Sequence, residues 1–279
     1  MTPRRPKALG HRASDEHESR CQILGGANWQ LTKDRGQLTT DNFRSDMTTN
    51  SLLPAAVVFD MDGVLVDTNP FHIQKWEALL TEHSIPFDRK ELPRQVLGPA
   101  NDPTLRRFFG ERITAEDRQR LSEELEARFR EAFAPHAKPL AGVERLIAEC
   151  QEQGVLVALA SAAMSKNVNF ILDALKLRPY FRTVLTNDEI TESKPNPEIF
   201  VKTAEKLGVP AAECVVIEDS FAGIEAAKRA GMKCVAVAST FPPPELRART
   251  QADLVVQTLE ELNLQKLRQL FDTWRQSVG

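Results

Sequence analysis

The sequence is short of cysteine, of long apolar runs and of any excess of charge of one sign. Four cysteines in 279 residues, with no CxxC among them, exclude a disulfide scaffold. Cys150, Cys214 and Cys234 lie inside apolar segments, which points to a reducing compartment, the cytoplasm. The longest apolar runs, such as residues 155–160, fall far short of the roughly 18 residues a membrane helix needs. No apolar stretch follows the basic N-terminus, which excludes a secretory signal peptide. Lys and Arg number 36 against 39 Asp and Glu, so no basic footprint argues for nucleic acid. What remains, 42% apolar and 27% charged residues, is the composition of an ordinary globular protein. At about 150 residues per domain, the length predicts roughly two domains.

The apolar residues are unevenly spread. Residues 1–46 hold eight basic and six acidic side chains and little clustered apolar surface. Residues 1–53 are therefore expected to be a disordered tail, or a mis-assigned start preceding a true beginning at Met47. From Pro54 onward, apolar runs alternate with helical patterns. Residues 55–59, 155–160, 214–217 and 234–238 are continuous apolar runs, and 254–256 is a weaker one. Continuous rather than alternating runs suit parallel strands buried on both faces. Between them, Ser165 is placed to cap a helix with an apolar stripe at Val168, Ile171, Leu172 and Leu175. Asn196 is placed to cap a second that closes at Gly208, and Ser220 a third that closes at Gly231. The expected fold is α/β, a doubly wound parallel sheet formed by residues 54–69 and 139–279. Residues 70–138 contain no strand-like run and read as an all-helical insertion, clearest at residues 115–133.

Polar residues with chemical potential stand where these runs stop. Asp60-Met61-Asp62-Gly63 ends the first, pairing two carboxylates that share a direction if the strand conformation persists. One carboxylate would serve as nucleophile and the other as a proton carrier. A calcium loop counted from Asp60 would need Gly and Glu where Leu65 and Phe71 stand, so that reading fails. A plain turn after a strand is the competing reading. Ser161, followed by Ala162, offers a hydroxyl and backbone N–H groups ahead of a helix, as a phosphate cradle or as an ordinary turn. Lys194 lies in a segment restrained by Pro195 and Pro197, against the default of a surface lysine. Glu218-Asp219 follows a buried run and suits a hard cation such as Mg²⁺, or a helix cap. Together these groups supply a nucleophile, a proton carrier, a hydroxyl, a fixed cation and a metal-binding acid pair. Phosphoryl transfer needs such a set, because charge on the equatorial oxygens must be neutralised.

The order Asp60-x-Asp62-Gly63, Ser161, Lys194, Glu218-Asp219 resembles the haloacid dehalogenase superfamily, within it the phosphatases and phosphomutases similar to β-phosphoglucomutase. The resemblance spans about residues 55–260. It implies that residues 70–138 are a cap domain and that Asp60 forms an aspartyl-phosphate. It implies that Asp62 protonates the leaving group and then activates water. Mg²⁺ would sit on the Asp60 carboxylate, the Asp62 main-chain carbonyl and Asp219, with Glu218 direct or through water. Ser161, Ala162, Lys194 and Asn167 would hold the phosphoryl oxygens. An acid at position 62 separates this chain from the halide-removing members, which lack it and need no metal.

Thr68, His72 and Trp76 match a Thr-x-x-x-His-x-x-x-Trp pattern of such caps, and positions 72 and 76 share one helix face. On their own they read equally well as cap core and hinge surface. Asn101, in Gly98-Pro99-Ala100-Asn101, stands where the mutase has an arginine for the substrate's distal phosphate. A cap lysine expected within residues 122–129 also has no counterpart, with only Arg128 and Arg130 near. The expected function is Mg²⁺-dependent hydrolysis of a small phosphorylated metabolite such as a sugar phosphate. The expected protein is a monomer or weak homodimer with no nucleic-acid or membrane partner. A β-phosphoglucomutase-type isomerase is the runner-up. A phospho-acceptor signalling module is the remote alternative, since in receivers the acid pair comes before the acceptor.

Overall fold

Six short runs form one parallel sheet in the computed structural model, which describes residues 53–97 and 99–278. The strands are β1 (Ala56–Phe59), β2 (Leu156–Ala160), β3 (Thr183–Leu185), β4 (Cys214–Glu218), β5 (Lys233–Val237) and β6 (Leu254–Val256). Their spatial order is β3-β2-β1-β4-β5-β6 and every neighbouring pair is parallel. β1 is central, paired with β2 on one side and β4 on the other. Between β1 and β4 the strand order reverses, and ligands of open α/β sheets bind at the carboxyl ends beside such a point.

Successive strand residues face opposite layers, and the two layers differ in side-chain size. Val57, Phe59, Val157, Leu159, Val215 and Ile217 face one apolar cluster with α5 (Val143–Glu152), α6 (Ser165–Leu175) and α10 (Leu264–Val278). Ala56, Val58, Ala158, Ala160, Cys214, Val216, Cys234 and Ala236 face the other with α7 (Glu198–Leu207), α8 (Phe221–Arg229) and α9 (Pro243–Arg249). The alternation confirms a doubly wound sheet buried on both sides. Cys150, Cys214 and Cys234 are free and buried. Burial pushes the Cys150 and Cys214 thiols up to about 12, so they act as small apolar side chains.

β3 has no counterpart among the expected strands. It has three residues at the sheet edge, and only Leu185 is fully buried, so it leaves no apolar run to read. Two helix starts also differ from expectation. Ser165 lies inside α6 rather than capping it, because the Asp188 carboxylate accepts its backbone N–H at 2.8 Å. Asn196 acts one position further out, its side chain accepting from the Glu198 N–H at 2.9 Å ahead of α7. Ser220 caps α8 as expected, accepting from the Gly223 N–H. Leu53, assigned to the tail, packs against the sheet core. The rest of that segment and Gly98 lie outside the described residues.

Four helices follow β1: α1 (Asn69–Glu82), α2 (Leu92–Val96), α3 (Asn101–Phe109) and α4 (Ala115–Phe133). They bury their own cluster, which includes Trp76, Leu79, Leu80, Leu92, Leu105, Leu121 and Leu125. Phe129 and Phe133 of α4 belong instead to the sheet-facing cluster, with Phe71 edge-on to Phe133 at 5.3 Å. α4 thus joins the insertion to the sheet. No helix among the described residues is long and apolar enough to cross a membrane.

Arg145 joins α5 to the turn before α10. It donates to the carbonyls of Leu259 and Glu260, each at 3.2 Å, and of Leu262 at 2.5 Å. Arg145→Met strands these acceptors. It is expected to lower unfolding stability by about 1–3 kcal/mol in urea titration with an unchanged slope.

Candidate active site

Asp60 continues β1 by donating its N–H to the Ile217 carbonyl at 3.0 Å. The chain then turns sharply, the Met61 carbonyl accepting from the N–H groups of Val64, Leu65 and Val66. Gly63 has φ +75° there, and a Cβ on it would lie 1.9 Å from Asp219 Oδ2. Glycine is required both for the turn and for the approach of the second acid.

At the end of β4, Glu218 Oε2 accepts from the backbone N–H groups of Asp219 and Ser220 and from the Ser220 hydroxyl, at 2.9–3.0 Å. Its other oxygen faces Lys194. Gly223 supplies the space, since a Cβ on it would lie 1.7 Å from Glu218 Oε1. Asp219 Oδ2 accepts from Thr240 and, at 3.2 Å, from Asn69. Lys194 Nζ donates to Asp60 Oδ1 at 2.6 Å, to Glu218 Oε1 at 2.7 Å and to the Ala160 carbonyl at 3.3 Å. It also lies 5.0 Å from the Phe200 ring centroid.

Asp60, Glu218 and Asp219 thus bring three carboxylates together, one oxygen of each within 4.8 Å of the others, against the single ammonium of Lys194. All four side chains are buried. Burial raises Asp60 well above the usual carboxylate range; Lys194 opposes this, and Glu218 and Asp219 add to it. Burial and the neighbouring Glu218 push Asp219 up to about 7. Burial would lower Lys194, but Asp60 and Glu218 overcome it and raise it above its usual value. An excess of buried anionic oxygen donors fits a hard divalent cation such as Mg²⁺.

The raised acids set the sign of a pH effect. A carboxyl that holds its proton more tightly folded than unfolded contributes stability at low pH, and loses it as pH rises through its folded value. In chelator-treated protein, the melting temperature is expected to fall between pH 6 and pH 8, around the Asp219 value of about 7. Added Mg²⁺ is expected to remove most of that fall.

Asp62 does not join this group. The strand ends at Phe59, and the Asp62 carboxylate is held from the insertion side, by the Thr68 hydroxyl at 2.5 Å and His72 Nε2 at 3.2 Å. The strand period does not carry through to Asp62, yet Asp60 and Asp62 line the same cavity. Burial alone would raise Asp62, but His72 and Thr68 hold it below its usual value.

Ser161, fully buried, turns its Oγ to the Ala163 N–H at 3.1 Å, while Ala162 lines the open space. Asn167 is buried and lines the cavity. Its Nδ2 donates to Glu126 of α4, and its Oδ1 accepts from Arg130 at 2.5 Å. His72 stacks on Phe129 with ring centroids 4.3 Å apart. Trp76 serves both readings, buried in the helical cluster and lining the space. Asn101 donates to Glu126 at 2.6 Å.

Asp60, Lys194, Ala162 and Asn167 from the sheet side and His72, Trp76 and Asn101 from the helical insertion line a cavity of about 530 Å³. Sequence reasoning missed Asn69, Lys75, Glu126 and Thr240. Glu126 had a weak signal, an acid one turn before the apolar Phe129 on α4. Thr240 lies just past β5, where strand-end polar residues gather.

Chemistry placed beside the reversal between β1 and β4 defines a doubly wound α/β enzyme. The family model of haloacid dehalogenase-like hydrolases matches residues 57–237, and the chain belongs to that family. It is 30% identical to the β-phosphoglucomutase of Bacillus subtilis, over 79% of this chain and 96% of that one. It is 31% identical to hexitol phosphatase B of Escherichia coli, over 76% of this chain and 96% of that one. The crystal structure of β-phosphoglucomutase from Clostridium difficile superposes with a TM-score of 0.71 at 26% identity, covering 80% of this chain and 99% of that one.

Proposed function

We propose that the chain is a Mg²⁺-dependent phosphomonoester hydrolase acting on a small phosphorylated metabolite of the sugar-phosphate kind. The observation that carries the reading is the buried group of Asp60, Glu218 and Asp219 around Lys194 in the cavity wall. Asp60, Asp219 and Glu218 would hold Mg²⁺, which supplies Lewis-acid stabilisation of the phosphoryl charge. An Asp60 oxygen attacks phosphorus, the ester bond breaks, and the departing oxygen takes a proton from Asp62. Asp62 then draws a proton from water, whose oxygen attacks the aspartyl-phosphate and frees Asp60 and inorganic phosphate. The Thr68 and His72 contacts favour the ionised form that Asp62 needs in the second step. Lys194 neutralises Asp60 and the transferred oxygens. Ser161 and Ala162, at the end of β2, complete the phosphate-holding set.

Residues 70–138 act as a cap whose side chains meet the leaving group, with residues 54–69 and 139–279 as the catalytic core. Asn167 joins cap to core through Glu126 and Arg130 and keeps a second amide N–H for the phosphoryl oxygens. The isomerase reading is weaker because Asn101, in place of a distal-phosphate arginine, is engaged by Glu126. Unpaired buried thiols support a cytoplasmic enzyme, acting as a monomer or weak homodimer.

Release of phosphate from p-nitrophenyl phosphate, present with Mg²⁺ and lost in chelator, tests the hydrolase. A coupled assay of β-glucose 1-phosphate with its bisphosphate activator tests the isomerase, and glucose 6-phosphate formation faster than phosphate release would overturn the proposal.

A further inference from the structure

The insertion side of the cavity wall carries a buried ion pair that the phosphoryl chemistry does not use. Lys75 of α1 donates to Glu126 Oε1 at 2.6 Å, and both side chains are nearly inaccessible, 4% and 9% exposed. Asn101 donates to the same oxygen at 2.6 Å, and Asn167 donates to the other. Burial would raise the Glu126 carboxyl, but Lys75 and the charge of His72 hold it below its usual range. Glu126 is therefore a fixed anion in the cavity wall.

The neighbouring charges do not offset it. Besides Lys75, the insertion contributes one other lysine or arginine to the wall among the described residues, Arg118, and this donates to Asp102 at 2.7 Å. Asp102 thereby cancels Arg118, and Glu123 adds one further acid to the same wall. A second phosphate arriving here would meet fixed carboxylates and no unpaired cation, and phosphate recognition needs cationic donors. A hydroxyl group has the complementary chemistry. It donates to a carboxylate lone pair and accepts from an ammonium. Glu126 has three of about four acceptor sites filled, and Lys75 has one of its three N–H groups on Glu126.

We infer that the Lys75–Glu126 pair determines specificity, accepting substrates whose far end is a neutral polyol and rejecting those with a second phosphate. The inference rests on the hydrolase reading and narrows it. Glu126 reads hydroxyls as acceptor, and by pairing with Lys75 it withholds the cation that a bisphosphate would need. Glu126→Gln keeps the shape, removes the anion and leaves Lys75 charged and unopposed.

The test is a ratio of kcat/KM values for matched substrates: sorbitol and glucose, each as the 6-phosphate and the 1,6-bisphosphate. In the unaltered chain the monophosphate is expected to be favoured by at least about 30-fold. In Glu126→Gln that ratio is expected to drop at least about 10-fold, mainly through KM. A merely structural role lowers both rates and leaves the ratio in place. The double variant Lys75→Gln with Glu126→Gln leaves no buried charge unpaired; it removes the repelling anion without freeing a cation, and is expected to move the ratio in the same direction by a smaller factor if the single variant fails to fold. Equal use of mono- and bisphosphates by the unaltered chain, or an unchanged ratio in the folded variants, overturns the inference while p-nitrophenyl phosphate turnover still supports the hydrolase. A chain that turns over none of these compounds overturns the hydrolase reading and this inference with it.

Discussion

Asp60→Asn is expected to abolish turnover, lowering kcat/KM at least about 10⁴-fold, and to raise the melting temperature of the metal-free protein. Activity falls because the amide is a poor nucleophile in a position no other carboxylate can fill. Glu218 is held by three hydrogen bonds on one oxygen and by Lys194 on the other, and Asp219 is turned toward Asn69 and Thr240. Stability rises for an independent reason. Three carboxylates share one ammonium in a buried site, and removing one charge relieves repulsion that burial amplifies. Steady-state assay and a melt in chelator separate the two effects. Residual activity within tenfold of the unaltered chain would sink the nucleophile assignment.

Lys194→Met should also cost most of the activity, about 10³-fold in kcat, but with the opposite sign in stability. Without the ammonium, Asp60 and Glu218 lose their shared partner. Leaving buried charge uncompensated costs roughly 3–5 kcal/mol. Acid should partly rescue the fold of this variant, because protonating the carboxylates removes the uncompensated charge. Urea titrations at pH 5.5 and 8 read this directly. A variant that is inactive yet as stable as the original at pH 8 would show that Lys194 does not balance the acids.

The pairing of opposite stability effects follows from groups that the sequence already marked. Asp60, Lys194 and Glu218-Asp219 were legible because each ends an apolar run or sits in a proline-restrained segment, and the topology of a parallel sheet sends such ends to one edge. Four of the six strands were legible as continuous apolar runs, and β6 as a weaker one, for the same reason. β3 was hidden because three edge residues bury too little to leave a pattern. The partners of Asp62 were hidden because they come from the start of the next helix. The Asn167 assignment missed two α4 side chains that reach across to it. The Lys75–Glu126 pair joins helices 51 residues apart in sequence, and no local periodicity encodes a contact of that kind. Apart from Leu53, which packs on the sheet core, the expected tail lies outside the described residues.

The central place of β1 also constrains when the site can come into being. The strand carrying Asp60 leaves the ribosome early, yet its two sheet neighbours begin at Leu156 and Cys214. A nascent chain holding only the first half of the protein has an unpaired apolar strand and an acid without its lysine. Long-range parallel pairing of this kind closes slowly and exposes sticky edges meanwhile. The helical insertion, with its own apolar cluster, is the part able to condense during that wait. The order of synthesis therefore completes the helical insertion before the sheet edge that carries Asp60, Lys194 and Glu218-Asp219, so chains cut short before Cys214 should be inert and prone to aggregate.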